Sequence, residues 1–211
     1  MPIAAEATTG APSLACEGSK PVHTTYLAVG AVETPLGPVW LAASADGLRA
    51  ATVPEASREA CLCLARGEER DDAPEAARQI LAAAAAQLGD YFSGRRRCFA
   101  LPLDLQGTAF QRRVWQEVAA VPYGETATYQ EIAWRIGAPR AQRAVGAANG
   151  ANPAAIVIPC HRLVGAGGAL RGYGGGLHQK RALLDFEAAV ARGAEPTLGG
   201  DQWRQKDGGA V

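Results

Sequence analysis

The chain has 211 residues, 48% hydrophobic and 20% charged, and its 21 Lys plus Arg balance 21 Asp plus Glu. That composition argues against disorder over most of the chain and suits a globular protein with one sizeable core or two small ones. No apolar run approaches the ~20 residues of a membrane helix, no signal-peptide pattern opens the chain, and five cysteines, an odd number, point to free thiols in the reducing cytoplasm.

In chain order, residues 1–22 read as a flexible tail. Residues 24–53 are rich in Val, Leu, Thr, Tyr and Trp, with turn signals at Pro35-Leu36-Gly37 and Asp46-Gly47, and predict two or three antiparallel strands. Cys61 and Cys63 stand too close for a zinc knuckle and read as buried or half-buried small apolar residues. Cys16 and His23 are two scattered ligand types, weak evidence for a metal site, and no metal is expected there. From Pro74 to Phe92, Leu81, Ala84, Leu88, Tyr91 and Phe92 recur at helical spacing, and Gly94 should terminate that helix. A hinge over Arg95–Gly107 follows, in which Arg95-Arg96-Arg97 reads as a solvated stretch.

The second half opens with two capping signatures, Thr108-Ala109-Phe110-Gln111 and Thr128-Tyr129-Gln130-Glu131. The first helix should bury Phe110, Val114, Trp115 and Val118 and stop before Pro122-Tyr123-Gly124; the second carries Ile132, Ala133 and Ile136 and ends at Gly137. Pro139 suits the first turn of a third helix, which would hold Arg140, Arg143 and the small residues Ala141, Ala144, Gly146, Ala147 and Ala148. A tight turn between two short helices, the second of them basic, makes a helix-turn-helix candidate, a pattern that enzymes without nucleic acid also use. From Arg135 to Arg181 there are seven Lys or Arg and no Asp or Glu, which suits a polyanionic partner or simply a basic face.

Next comes Ile156-Val157-Ile158-Pro159-Cys160-His161-Arg162, predicted as a short buried strand ended by proline, with a thiol at the mouth of the next turn. A buried structural thiol is one reading. His161 and Arg162 beside it favour the other, a nucleophile with a lowered pKa. Leu183, Leu184 and Glu187 fall within about one helical turn, so Glu187 should point inward and want a partner such as His161. Gly172-Tyr173-Gly174-Gly175-Gly176 lacks the Lys-Ser/Thr of a phosphate loop and should instead let backbone approach a substrate, with Tyr173 supplying a hydroxyl.

IPCHR, preceded by RAVGAANGANP and followed by GYGGGL and LLDFE, resembles the O6-alkylguanine-DNA alkyltransferase family from about Gly107 to Glu187. The resemblance implies an α+β protein: a ribonuclease-H-like α/β domain over 23–100, a mostly helical domain with a helix-turn-helix over 101–192, and a second flexible tail over 193–211. It implies single-turnover transfer of an alkyl group from O6 of guanine, with O4 of thymine as a further candidate, to Cys160. His161 would act as base through a water, oriented by Glu187, and Asn152 would brace the Cys loop. Arg143 would be the inserted finger, Tyr129 would turn the nucleotide out, and Tyr173 would sit near the flipped base. Thr128, Ala141 and Gly146 complete the expected DNA-facing set. The expected partner of this monomer is double-stranded DNA, entered through the minor groove, with no cofactor.

Overall fold

The structure, a computed structural model, describes residues 25–196 and residue 198. The tail read over 1–22, with Cys16 and also His23, lies outside the described residues.

Three strands, β1 (Tyr26–Val32), β2 (Val39–Ala43) and β3 (Leu48–Ala51), form the antiparallel meander that the turn signals predict. Gly37, at φ +107°, closes the first turn by donating to the Thr34 carbonyl at 2.9 Å. A two-residue strand not anticipated from sequence, β4 (Glu68–Glu69), adds parallel to β1 and gives the order β3-β2-β1-β4. Alternation along β2 sorts its side chains: Val39 and Leu41 join Leu88 and Tyr91 in one cluster, while Ala42 joins Leu27, Ala50, Cys61 and Ala65 in another. Two helices, α1 (Arg58–Ala65) and α2 (Glu75–Phe92), thereby cover opposite faces of the sheet. Residues two apart on a helix do not share a face, so Cys61 is buried whereas Cys63 is exposed, contrary for Cys63 to the reading of both as buried or half-buried. Gly94, at φ +72°, follows α2 as expected.

The predicted hinge is pinned to β3. Leu48 N donates to Pro102 O at 2.8 Å and Asp104 N to Leu48 O at 3.0 Å, while Arg49 Nε and Ser44 Oγ both reach Asp104 Oδ2 at 2.7 Å. The approach is so close that a Cβ on Gly47 would stand 2.7 Å from Asp104 N. Arg95 pairs with Asp90 at 2.8 Å and Arg97 donates to Val190 O at 3.2 Å, so the arginine stretch is engaged in part with the protein itself.

Beyond it lie α3 (Ala109–Ala119), β5 (Ala127–Thr128), α4 (Tyr129–Arg135), α5 (Gln142–Gly150), β6 (Leu163–Val164) and α6 (Gly176–Ala191). Both capping boxes form, Thr108 with Gln111 and Thr128 with Glu131. Phe110 is only half-buried. Pro139 and Arg140 lie in the turn and not on α5, because Ala141 N closes on Ala138 O at 2.8 Å and Gln130 Nε2 holds Pro139 O at 2.7 Å. A single cluster spans both halves and joins Leu41, Leu88 and Tyr91 to Val114, Trp115, Ile132, Leu183 and Phe186. Leu198, in the segment read as a tail, packs against it. No helix among the described residues is long and apolar enough to cross a membrane.

Candidate active site

The edge of β3 carries the Cys loop. Ala51 N donates to Pro153 O at 2.9 Å and Ala155 N to Ala51 O at 2.8 Å. The strand predicted over 156–158 does not form: Ile156 turns at φ +71°, and only single bridges at Ala154, Ala155 and Ile158 survive. A β-branched residue in the left-handed region is costly, about 1–3 kcal/mol, and needs surrounding structure to hold it. Here Asn152 does so, donating from Nδ2 to Ile158 O at 2.9 Å and accepting from Ala154 N at 3.0 Å. From α5, Asn149 Nδ2 donates to Cys160 O at 3.3 Å, and α5 is itself tied to α3 by Trp115 Nε1 donating to Ala148 O at 2.8 Å.

Cys160 thus sits at the start of a 3-10 turn, Cys160–Arg162, whose three side chains are all buried. Behind it the predicted His–Glu pair exists: His161 Nε2 lies 2.9 Å from Glu187 Oε1, both fully buried. Arg162 turns away from the thiol and grips the same carboxylate, Nε on Oε2 and Nη2 on Oε1, each at 2.9 Å, with Nη1 on Val121 O at 2.6 Å. Tyr91 from α2 and the backbone N–H of Gly124 complete the set, at 2.7 and 3.1 Å.

These contacts reverse one expectation. Burial pushes the Cys160 thiol up, outweighing the Asn152 amide and the Lys180 charge that favour the thiolate. Burial likewise holds His161 below its ordinary value against the pull of Glu187, so the resting pair is thiol and neutral imidazole. For Glu187, burial acts upward, but the hydrogen bonds and charges of His161 and Arg162 prevail and bring it down to about 2. The lowered thiol inferred from sequence fails because the guanidinium is spent on Glu187 and water is excluded.

Two cavities that share lining residues lead from the surface to the thiol, and the inner one reaches it. An outer one of about 700 Å³ is lined by Tyr129, Arg143, Gly146 and the Gly172–Gly174 loop. An inner one of about 290 Å³ reaches Cys160 and is walled on its other side by Thr52, Val53, Ala56, Ala60 and Leu64 of the N-terminal half. Asn149, Gly150 and Gly172–Gly174 belong to both. Tyr173 Oη is buried without a hydrogen-bond partner, as is His161 Nδ1. Arg143 is exposed at the outer rim. Gly146 brings α5 against Tyr129, whose ring would lie 4.0 Å from an added Cβ. Thr128 is committed to its cap, and Ala141 is the residue at which α5 starts.

Two residues of the site were not singled out from the sequence, Lys180 on the thiol side and Tyr91 on Glu187. Lys180 is fully buried, donates to Arg171 O at 2.7 Å, lies 5.9 Å from the Tyr129 ring and is brought by burial to about 8. Its spacing, seven residues before Glu187 on α6, was the available signal. Tyr91 gave no local signal. No group of three His, Cys, Asp or Glu side chains suited to a metal ion occurs among the described residues.

Fold and site define a class: an α+β protein with a thiol at the floor of a cleft, backed by a His–Glu–Arg network. Residues 109–189 match the family model "6-O-methylguanine DNA methyltransferase, DNA binding domain" and residues 22–105 match its "ribonuclease-like domain". The chain belongs to the 6-O-methylguanine DNA methyltransferase family. A methylated-DNA--protein-cysteine methyltransferase of Methanosarcina barkeri is 44% identical over 159 residues, 74% of this chain and 94% of that protein. The Mycobacterium tuberculosis protein of the same name is 58% identical over 105 residues, 50% of this chain, and the match spans 64% of its length. A crystal structure of Mycobacterium tuberculosis OGT in complex with DNA aligns with TM-score 0.64 and 44% identity, covering 76% of this chain and 92% of that one.

Proposed function

We propose that this protein repairs O6-alkylguanine in double-stranded DNA by moving the alkyl group, once and irreversibly, onto Cys160. The observation that carries the reading is the position of the thiol, enclosed in a cavity continuous with the α5 face and backed by His161 and Glu187. Cys160 Sγ attacks the alkyl carbon, the carbon–O6 bond breaks, and its electrons pass to the purine. A water takes the thiol proton toward His161 Nδ1, while Nε2–H stays on Glu187. The Tyr173 hydroxyl, held protonated by burial, can donate to the departing base. A thioether has no easy hydrolytic exit, so the chain is consumed and needs no cofactor. O4-alkylthymine offers a similar carbon to the same thiol.

The target atom lies inside the duplex and has to be brought out. On this reading α4 and α5 act as a helix-turn-helix on a ribonuclease-H-like partner domain, with the division near residue 100. α5 enters the minor groove, Ala141 and Gly146 allow close approach, Thr128 fixes the start of α4, and Tyr129 crowds the phosphate beside the lesion. Asn152 keeps the Cys loop in its strained turn. A monomer in the cytoplasm suffices, since one chain carries the whole site. What supports DNA as partner is the DNA-bound relative and the basic stretch from 135 to 181.

Incubation with a duplex carrying O6-methylguanine, followed by weighing the intact protein, tests the reading. One methylene gained on the Cys160 peptide is expected; steady turnover with no mass gain would instead point to a cysteine hydrolase. Arg143, exposed at the rim, should serve extrusion and not chemistry. Its replacement by Ala should slow repair of the duplex roughly 10- to 100-fold, equivalent to about 1.4–3 kcal/mol, yet barely affect reaction with free O6-benzylguanine. Equal losses on both substrates would remove Arg143 from the flipping role.

A further inference from the structure

Glu187 has more donors than an ordinary carboxylate can serve. Five converge on it: Tyr91 Oη, His161 Nε2 and Arg162 Nη2 on Oε1, Arg162 Nε and Gly124 N on Oε2. Two carboxylate oxygens offer about four lone-pair sites, so the three donors on Oε1 compete. Tyr91 makes the shortest of these bonds, at 2.7 Å, and comes from α2, 96 residues earlier in the chain. It is fully buried, with the rings of Phe92, Phe99, Tyr123 and Phe186 around it. That packing alone would account for an aromatic residue. It would not account for a hydroxyl aimed at the carboxylate behind the nucleophile.

We propose that Tyr91 is a positioning residue of the transfer reaction, whose hydroxyl draws charge from Glu187 Oε1 and so limits how tightly that oxygen holds the proton of His161. The inference rests on the alkyl-transfer reading for its consequence, though the link between Tyr91 and His161 is physical and can be read without any transfer. A carboxylate relieved of one donor concentrates its charge on those that remain. His161 then becomes more basic, and a base that is already protonated cannot accept the thiol proton. Other charged or titratable groups face this network, namely Arg162, Tyr123, and Arg97 over the Tyr123 ring, with Lys180 and Cys160 on the thiol side. Tyr91→Phe leaves all of them in place and keeps the ring.

The experiment follows the His161 ring by NMR across pH in the histidine-labelled full chain, which has three histidines, for wild type and Tyr91→Phe. A rise in proton affinity of about three-fold, near half a pH unit, is expected. In parallel, the ratio of variant to wild-type alkylation rates on O6-methylguanine duplex should fall toward pH 6 and approach one at pH 8. Site-specific 3-fluorotyrosine at position 91, a stronger donor, should move His161 the opposite way, which guards against a folding defect in the Phe variant. A purely structural Tyr91 would lower melting temperature and leave both the titration and the rate ratio flat, and that result overturns the proposal. A wild-type chain that takes up no alkyl group refutes the transfer reading instead, and is recognised by its unchanged mass whatever His161 does.

Discussion

Cys160→Ser should lose alkyl uptake by at least about 10³-fold and keep its affinity for duplex DNA within about two-fold. An alcohol is essentially never ionised near neutrality, whereas even a thiol with a raised pKa supplies some thiolate. The replacement is nearly isosteric and leaves Arg143, Tyr129 and the basic face alone. Intact mass and a gel-shift titration on the same preparation check both halves, and a methylene found on Cys16, Cys61, Cys63 or Cys98 would contradict the assignment. In the wild type, burial raises the thiol and lowers the imidazole. The single-turnover rate should therefore climb from pH 6 to 8, since each unit below a thiol's pKa changes its thiolate fraction about tenfold. Lys180, at about 8, loses its charge just there, and the climb should slacken beyond it. A rate independent of pH over this range would contradict the resting pair described above.

Glu187→Gln should destabilise the fold by about 3–5 kcal/mol at pH 7, because it leaves the Arg162 guanidinium buried, 6% exposed, without its counter-charge. The direction of its pH dependence follows from linkage. Glu187 falls from 4.5 to about 2 on folding, so its contribution, about 3 kcal/mol by this shift, is complete above the unfolded value. It is lost as pH drops through 4.5 toward 2. The gap between wild type and variant should accordingly be widest near pH 7 and narrow in acid, as measured by urea unfolding at both pH values with Trp fluorescence. A gap that is small at pH 7, or that widens in acid, would show that the carboxylate is not the centre of the network.

What could be read from the sequence was whatever short-range chemistry determines. Thr108 and Thr128 announced their helices because a capping box is complete within four residues. Leu183, Leu184 and Glu187 announced an inward carboxylate because helical spacing alone decides which face a residue takes. The same spacing would have revealed Lys180. Tyr91 was beyond reach, since nothing near it signals a carboxylate 96 residues on. The sign of the Cys160 shift was misread for a related reason: proximity in sequence to His161 and Arg162 was visible, but depth of burial and the choice of Arg162 for Glu187 are properties of the packed chain. Ile156 does not read as a turn because an apolar β-branched run looks like a strand, whereas the β3 edge, Asn152 and the loop's own backbone hydrogen bonds hold it otherwise.

The enclosure of Cys160 carries a consequence for storage. On the alkyl-transfer reading the protein is a reagent used once, which must survive until it is needed, and a free thiolate is steadily lost to peroxides and other electrophiles. With the thiol 7% exposed and kept protonated, while Cys63 and Cys98 stand open to solvent, a small oxidant or alkylating agent meets the outer sulfurs first. The same burial that slows the resting thiol toward its target would, on that reading, preserve the unused protein.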